Sequence, residues 1–311
     1  MFGSTSAMGI DVGTQCVRAA MIQKHGKTLR LQALVVASRH SMSLEEALNT
    51  VKKQLRKACR APWQWPVRQI MGVAQSNVAT KRFPTSPDIT ENEQYVQVGL
   101  QLSESLGLPM DDLLYDYRPL PGSDGVEAYA CRKPMLKEIL SALDAVGYKL
   151  TVIELQTHAL MRLYNQHQRF QPDNGLSLMV DVGTERLQIC LDDNKGGHFY
   201  REIPVPVDVE EHGDGDRTPY TQQLAETVQR QYQLAATQLQ GARISTVWLS
   251  GDRAKKLDVF ALEEALGWKV RALNPLQGLS YSPSLVERLD EPAAAWSTSI
   301  GLALRGVMDG L

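Results

Sequence analysis

The sequence lacks the features that would direct it to a membrane or to nucleic acid. Its 311 residues contain no apolar run near the roughly 18 residues that a membrane helix requires. Residues 1–8 lack the basic and apolar stretches of a signal peptide. The 33 basic and 35 acidic residues leave a net charge of −2, which gives no global field toward nucleic acid. We therefore expect a cytoplasmic protein that neither inserts into a membrane nor binds nucleic acid.

Cysteine and histidine are too few and too scattered to indicate a metal cluster. No two of the four cysteines have the close spacing of zinc or iron–sulfur ligands, and free thiols are typical of a reducing compartment. The six histidines give no pair with a third ligating partner. The composition, 43% hydrophobic and 22% charged, is ordinary for one large domain or two intimate domains.

The most informative feature is an internal repeat. Residues 9–14 (GIDVGT) recur 170 positions later as residues 179–184 (MVDVGT). In both copies an apolar strand precedes the Asp-Val-Gly-Thr turn and a second strand follows it. Glycine suits such a reversal because it tolerates positive φ, and the exposed amides of the turn form a concavity that binds anions. The repeat therefore predicts that the chain consists of two related halves.

The chemistry of the repeated turns stays open on this pattern. An aspartate at a strand end can position a hydrated divalent metal, so two such turns would grip a phosphate chain from opposite sides. A single Asp-x-Gly turn is also common in ordinary hairpins. Duplication is thus better supported than nucleotide binding.

Strands alternate with helices along the rest of the chain, which predicts an α/β fold. Ser43 with Glu46, and Thr90 with Glu93, form capping boxes that open two helices, and Gly107 ends the second one. The best candidate for a domain boundary is residues 172–175 (PDNG), directly before the second copy of the repeat. Neither a dinucleotide fingerprint nor an esterase nucleophile elbow occurs.

Several segments together resemble a known family. The two Asp-Val-Gly-Thr turns and the late Leu-Ser-Gly turn at 249–251 are similar to the actin-like ATPase superfamily. More narrowly, the chain resembles the PilM family of type IV pilus assembly proteins, which are relatives of the division protein FtsA. The segments that carry this narrower resemblance are 8–18, 112–117, 127–133, 134–147, 159–163, 201–205, 274–276 and 300–305.

The resemblance implies an α/β, actin-like fold in which two RNase H-like halves flank a cleft. The first half would be residues 1–77, and residues 78–152 would form a small inserted α+β subdomain. The second half would be 153–290, and 291–311 would be a closing helix that returns to the first half. An acidic loop stands where the family commonly has Gly-Gly and a further helix. The lid subdomain around 206–240 is therefore expected to be reduced.

The resemblance also implies a nucleotide site that would take ATP with magnesium. Asp11 and Asp181 would be the magnesium ligands. The chain departs from the family pattern at two positions of this site. Gln156 stands where the family commonly has a glutamate, and a glutamine cannot act as a base. Asp252 replaces a second glycine, and its carboxylate would repel a nearby phosphate. We therefore expect hydrolysis to be weak or absent. The candidate nucleotide-binding residues are Asp11, Gly13, Thr14, Gln15, Arg18, Gln156, Asp181, Gly183, Thr184, Ser250 and Gly251.

The function implied by the resemblance is a scaffold docked beneath the inner membrane through its partners. It would bind the short cytoplasmic N-terminal tail of a single-span, PilN-like protein in a groove beside the inserted subdomain, and link it to the pilus motor ATPase. Close relatives serve competence and mannose-sensitive haemagglutinin (MSHA) pili. The alternative is an active ATPase or phosphotransferase of the actin and hexokinase superfamily, with both turns cradling phosphates. The sequence leaves the groove residues, the oligomeric state and the pilus system open.

Overall fold

The computed structural model describes residues 5–59, 65–66, 68–85, 89–120, 122, 124–170, 172, 175–192, 198–205, 218–238, 243–287 and 289–308. Within them, thirteen strands alternate with eight α-helices. The strands are β1 Thr5–Val12, β2 Cys16–His25, β3 Thr28–Ser38, β4 Arg68–Val73, β5 Ala79–Pro84, β6 Leu113–Pro119, β7 Gly125–Arg132, β8 Val152–Leu155, β9 Leu176–Val182, β10 Arg186–Asp192, β11 His198–Pro204, β12 Ile244–Ser250 and β13 Lys269–Ala272. The helices are α1 Leu44–Ala58, α2 Glu91–Leu106, α3 Lys133–Val146, α4 Gln156–Gln168, α5 Thr218–Gln238, α6 Val259–Leu266, α7 Pro283–Val286 and α8 Ser297–Met308.

The two larger sheets have the same topology. The first has the order β3-β2-β1-β4-β8 and the second the order β11-β10-β9-β12-β13. In each, three antiparallel strands are followed by two parallel ones, which is the arrangement of an RNase H-like half. The prediction of an α/β, actin-like fold with two related halves is confirmed.

A third, three-stranded sheet of order β5-β7-β6 interrupts the first half between β4 and β8. Its apolar face packs against α2, where Val98 and Leu102 meet Val126 and Ala128 in a small separate core. Because alternate residues of a strand point to opposite faces, the other face of β5 and β7 is free to carry polar side chains. The boundaries expected for this inserted unit, 78–152, stay a prediction.

Helix ends follow the local signals in the sequence. The Ser43 hydroxyl accepts a hydrogen bond from the Glu46 amide while the Glu46 carboxylate accepts one from the Ser43 amide, and Thr90 with Glu93 repeats the arrangement. Gly107 ends α2 in the left-handed conformation. These predicted capping boxes are confirmed. The acidic loop 206–217, which carries the expectation of a reduced lid, lies outside the described residues.

Helix α8 packs against the first sheet and against α4, and it shares a core with the second half. All but two of its residues are buried, and Ile300 and Leu302 share one core with Met179 and Trp248 of the second half. A Cβ at Gly9 of β1 would lie 2.1 Å from a backbone oxygen of α8, so the strand and helix backbones touch directly. No helix among the described residues is long and apolar enough to cross a membrane.

Candidate functional site

The two repeated turns meet at one cavity between the halves, which we call the cleft. Its volume is about 300 Å³. The sequence-predicted residues that line it are Asp11, Gly13, Thr14, Gln15, Arg18, Gln156, Asp181, Gly183, Thr184 and Gly251. Ser250 is not a lining residue: it is fully buried, and its hydroxyl hydrogen-bonds Ser297 at the start of α8. The residues expected to form a site therefore converge, and Ser250, although it does not line the cleft, contributes a side-chain hydrogen bond to Asp181.

Both turns close with the same backbone hydrogen bond. The Gly13 amide donates to the Cys16 carbonyl at 2.9 Å, and the Gly183 amide donates to the Arg186 carbonyl at 3.0 Å. The expectation that these glycines adopt positive φ is wrong, because neither belongs to the glycines with that conformation. A Cβ would instead lie 3.1 and 3.0 Å from those carbonyl oxygens. Glycine is favoured at these two positions because a carbonyl oxygen lies close to where a Cβ would be, and not because φ is positive.

Asp11 and Asp181 bring two buried carboxyl groups to the cleft. Burial raises the pKa of Asp11, while Arg18 and a hydrogen bond from Gln156 oppose the rise. Burial also raises the pKa of Asp181, to about 7, and the nearby Asp252 and Asp11 carboxylates add to the effect. Two carboxylates with raised pKa values favour an added cation. Magnesium accepts one or two protein carboxylates and completes its shell with water and phosphate, so this donor pair suits it.

The other described acidic residues near the cleft do not form a larger metal-binding cluster with these two carboxyl groups. Among the described residues, no group of three or more His, Cys, Asp or Glu side chains could hold a metal ion. A metal in the cleft would therefore depend on the two carboxylates and on ligands from solvent or substrate.

Gln156 orients Asp11. Its amide nitrogen donates to Asp11 Oδ1 at 2.7 Å, and its amide oxygen accepts a hydrogen bond from Gln188 at 3.1 Å. Both polar ends of Gln156 are therefore engaged. The sequence pattern identified Gln156 and missed Gln188, although Gln188 is the repeat counterpart of Arg18, each lying seven positions after its aspartate.

Arg18 pairs with two acidic side chains at the cleft. Its guanidinium donates to Asp252 at 3.1 Å and to both oxygens of Glu291, at 2.8 and 3.0 Å. The same Asp252 oxygen accepts a hydrogen bond from the Thr184 hydroxyl at 3.1 Å. Glu291 was missed because it lies in a segment far along the chain with no motif to mark it. Arg39, also missed, donates to the Gly13 carbonyl at 2.7 Å.

A second cavity of about 650 Å³ lies between the inserted sheet and β11; we call it the subdomain cavity. Its lining residues are Gln75, Ser76, Val78, Thr80, Arg82, Glu127, Tyr129, His198, Phe199, Tyr200, Arg201 and Glu202. On the sheet side, Thr80 faces Tyr129 and Arg82 faces Glu127 across the β5–β7 ladder. The polar face of the inserted sheet thus forms one wall, and the edge strand β11 forms the other.

Glu127 is the buried anion of the subdomain cavity. His198 Nε2 lies 2.7 Å from one of its oxygens, Arg82 and Arg118 donate to it at 2.9–3.1 Å, and the Tyr129 hydroxyl also donates to it. Burial raises the pKa of Glu127, but the His198 and Tyr129 hydrogen bonds and the Arg118 guanidinium more than offset this and hold the pKa well below its ordinary range. The carboxylate therefore fixes the inserted subdomain to β11.

Two routes of hydrogen bonds connect the cleft with the subdomain cavity. Arg186 lines the cleft, and its guanidinium donates to Glu202 at 2.7 Å and to Ser76 at 3.2 Å. In the second route the residue after Gln156, Thr157, donates to the Gln75 side chain at 2.9 Å, and the Gln75 backbone amide donates to Glu202 at 3.0 Å. Glu202, whose side chain is fully buried, is common to both routes.

Comparisons with known proteins show to which family this chain belongs and which solved structures share its fold. A family model described as type IV pilus assembly protein PilM matches residues 9–204, which is more than half of the chain. A search of curated proteins gives no match.

Among solved structures, the chain is similar to one titled the PilM–PilN type IV pilus biogenesis complex. That match has 18% identity and a TM-score of 0.77, and it covers 97% of this chain and 99% of the other. It is also similar to the cytoplasmic domain of EpsL, an inner-membrane component of the Vibrio cholerae type II secretion system, with 10% identity, 99% and 97% coverage and a TM-score of 0.52. A third similar structure is component A of the Acidaminococcus fermentans (R)-2-hydroxyglutaryl-CoA dehydratase, with 10% identity, 97% coverage of both chains and a TM-score of 0.50.

Proposed function

This chain belongs to the PilM family of type IV pilus assembly proteins, and from that membership we propose that it is a cytoplasmic adaptor of a type IV, competence or MSHA-type pilus machine. It binds the cytoplasmic N-terminal tail of a PilN-like protein and so lies at the inner membrane through its partner. The observation that carries the proposal is the similarity over essentially the whole chain, inserted subdomain included, to a protein of the PilM–PilN complex.

The tail docks in the subdomain cavity. At about 650 Å³ this cavity can take several residues of an extended peptide. Tyr129 and Tyr200 supply aromatic surface, and Arg82 and Arg201 supply donors for backbone carbonyls or acidic side chains. The Glu127 contacts keep this wall ordered before the peptide arrives, which lowers the entropic cost of binding.

The cleft holds a magnesium nucleotide. Asp11 and Asp181 would hold the metal, and the amides and hydroxyls of Thr14 and Thr184, one in each turn, would hold the phosphates. When bound, the metal would supply positive charge beside these two buried carboxyl groups. Gln156 orients Asp11 through its 2.7 Å hydrogen bond and offers no base. The cleft is therefore better suited to binding than to hydrolysis, and this weighs against the ATPase or phosphotransferase alternative.

Nucleotide binding modulates tail binding through Arg186. Arg186 lines the cleft, so phosphate there competes with Glu202 for its guanidinium. Glu202 and Ser76 line the subdomain cavity, so loss of their Arg186 contact changes the groove. Any coupling of this kind is reciprocal: if nucleotide alters the affinity for the tail, the tail alters the affinity for nucleotide by the same factor.

The test is a calorimetric titration with a synthetic peptide that copies the cytoplasmic tail of the PilN-like protein from the same organism. It is carried out with and without Mg-ATP. The key variant is Thr80→Trp, which places an indole in the subdomain cavity from an exposed position on β5. The matched control is Lys81→Trp, which adds the same ring to the next exposed residue, on the opposite face of the strand.

We expect the peptide to bind the wild type and the control alike, and Thr80→Trp to weaken binding by roughly tenfold or more. Equal affinity in all three proteins would refute the subdomain cavity as the docking site. No binding of the tail to the wild type, with or without Mg-ATP, would refute the adaptor function itself.

A further inference from the structure

Asp252 occupies the donors that would otherwise receive a phosphate group. One oxygen of its carboxylate accepts from the Arg18 guanidinium and from the Thr184 hydroxyl, both at 3.1 Å. Arg18 comes from the strand after the first turn, and Thr184 belongs to the second turn. The carboxylate therefore lies between the two repeated turns and contacts one residue from each half.

The backbone holds Asp252 in this place. The preceding residue, Gly251, has φ of +97°, and a Cβ there would lie 2.3 Å from the Val182 carbonyl oxygen, so the turn packs directly on the end of β9. On the other side, the Arg253 amide donates to the same carbonyl at 3.0 Å. With both neighbours fixed, the Asp252 side chain projects into the cleft from a rigid position.

The pairing is neither exposed nor fully satisfied. The Arg18 side chain is 12% exposed and that of Asp252 20% exposed, so solvent screens their attraction only partly. The second Asp252 oxygen, Oδ1, is buried and has no hydrogen-bond partner among the described atoms. A buried acceptor without a donor raises the free energy of the protein. Displacement of the Asp252 carboxylate from the cleft would remove this penalty.

We infer that Asp252 is a specificity-determining residue: its carboxylate is a built-in competitor that occupies Arg18 and Thr184 and thereby weakens the binding of phosphate-bearing ligands in the cleft. This deepens the proposed function and rests on the nucleotide-binding part of it. Phosphate must displace the carboxylate from both donors and then remain beside a like charge. Glu291 keeps the Arg18 guanidinium oriented in the meantime.

The test compares the binding of Mg-ATP and of magnesium pyrophosphate to four variants by calorimetry, with circular dichroism to confirm folding. Asp252→Asn removes the charge with little change of shape, and Asp252→Ala removes the side chain. The matched control is Glu185→Gln, which removes one negative charge from the same cleft at a residue whose side chain forms no described hydrogen bond with Arg18 or Thr184. The fourth variant combines Asp252→Asn with Arg18→Ala.

Both Asp252 variants should bind both ligands roughly tenfold or more tightly than wild type, with a gain several-fold smaller in Glu185→Gln. The double variant should lose that gain, because the freed Arg18 produces it. An equal gain in Glu185→Gln would overturn the inference in favour of the general charge of the cleft. Unchanged affinity in both Asp252 variants would also overturn it.

If neither the wild type nor any variant bound either ligand measurably, the inference would be overturned as well. The adaptor function would still be judged separately, because the tail titration on the same samples decides it.

Discussion

Asp181 is expected to make the protein less stable as the pH rises through the neutral range. Burial raises its pKa from 3.8 to about 7 in the native state. Above pH 4 the unfolded chain has released this proton while the native protein retains it, so stability falls until the pH passes the native pKa. From these two pKa values, the destabilisation is about 2 kcal/mol at pH 5 and about 4 kcal/mol at pH 8.

The replacement Asp181→Asn removes the titrating group and keeps the shape. Relative to wild type, we expect the variant to gain about 2–3 kcal/mol of unfolding free energy between pH 5 and pH 8. Urea unfolding at the two pH values measures the change, and using a difference between them removes any pH-independent cost of burying the amide.

A suitable control is Asp144→Asn, which removes an exposed carboxyl group from α3. A pH-dependent gain of the same size in the control, or no change in Asp181→Asn relative to wild type, would refute the claim that burial of Asp181 in the cleft raises its pKa. If the prediction holds, magnesium should bind the wild type with release of protons and more tightly at pH 8 than at pH 6.

Two further predictions concern the scaffold of the two cavities. Gly251→Ala should lower the free energy of unfolding by about 2–4 kcal/mol, because its Cβ would meet the Val182 carbonyl at positive φ. Gly26→Ala, where φ is also positive but the Cβ would meet open space, should lower it by about 1 kcal/mol. Urea unfolding measures both losses, and equal losses would refute the close-approach argument. Glu127→Gln should lower stability at pH 7 and matter less near pH 3, because the stabilisation from a depressed pKa is complete only above the unfolded pKa and declines as the pH falls below it. Urea unfolding at both pH values measures this, and an unchanged stability at pH 7 would show that the charge of Glu127 contributes nothing.

The sequence predicted the fold well because its signals are local or repeated. Capping boxes such as Ser43 with Glu46 act within four residues, and their outcome depends little on the rest of the chain. The repeat around Asp11 and Asp181 predicted two halves without any knowledge of packing. Where a local rule was applied too generally, it failed: Gly13 adopts an ordinary φ, and only the approach of the Cys16 carbonyl explains the glycine.

The contacts that complete the site could not be predicted in the same way. Glu291 is 273 residues from Arg18 along the chain, and nothing in its neighbours distinguishes it from an ordinary surface acid. The second cavity is equally non-local, because Glu127 and His198 come from different units and meet only after both have folded. Tertiary ion pairs of this kind depend on the relative placement of whole elements, which periodicity and spacing do not encode.

The duplicated halves have the same strand order and have diverged at positions that line the cleft. Arg18 and Gln188 are counterparts in the repeat, and both line the cleft. Gln188 acts through Gln156 on Asp11, which orients the carboxylate that we propose holds the metal without adding charge. Arg18 instead pairs with Asp252, which draws a cleft-lining cation into an internal ion pair. The Gln188–Gln156 pair orients the carboxylate proposed for the metal, whereas Asp252 occupies the donors proposed for phosphate. The cleft is therefore expected to bind a cation more readily than a nucleotide. Magnesium should therefore bind in the absence of nucleotide, and nucleotide affinity should depend on magnesium more steeply than in Asp252→Asn.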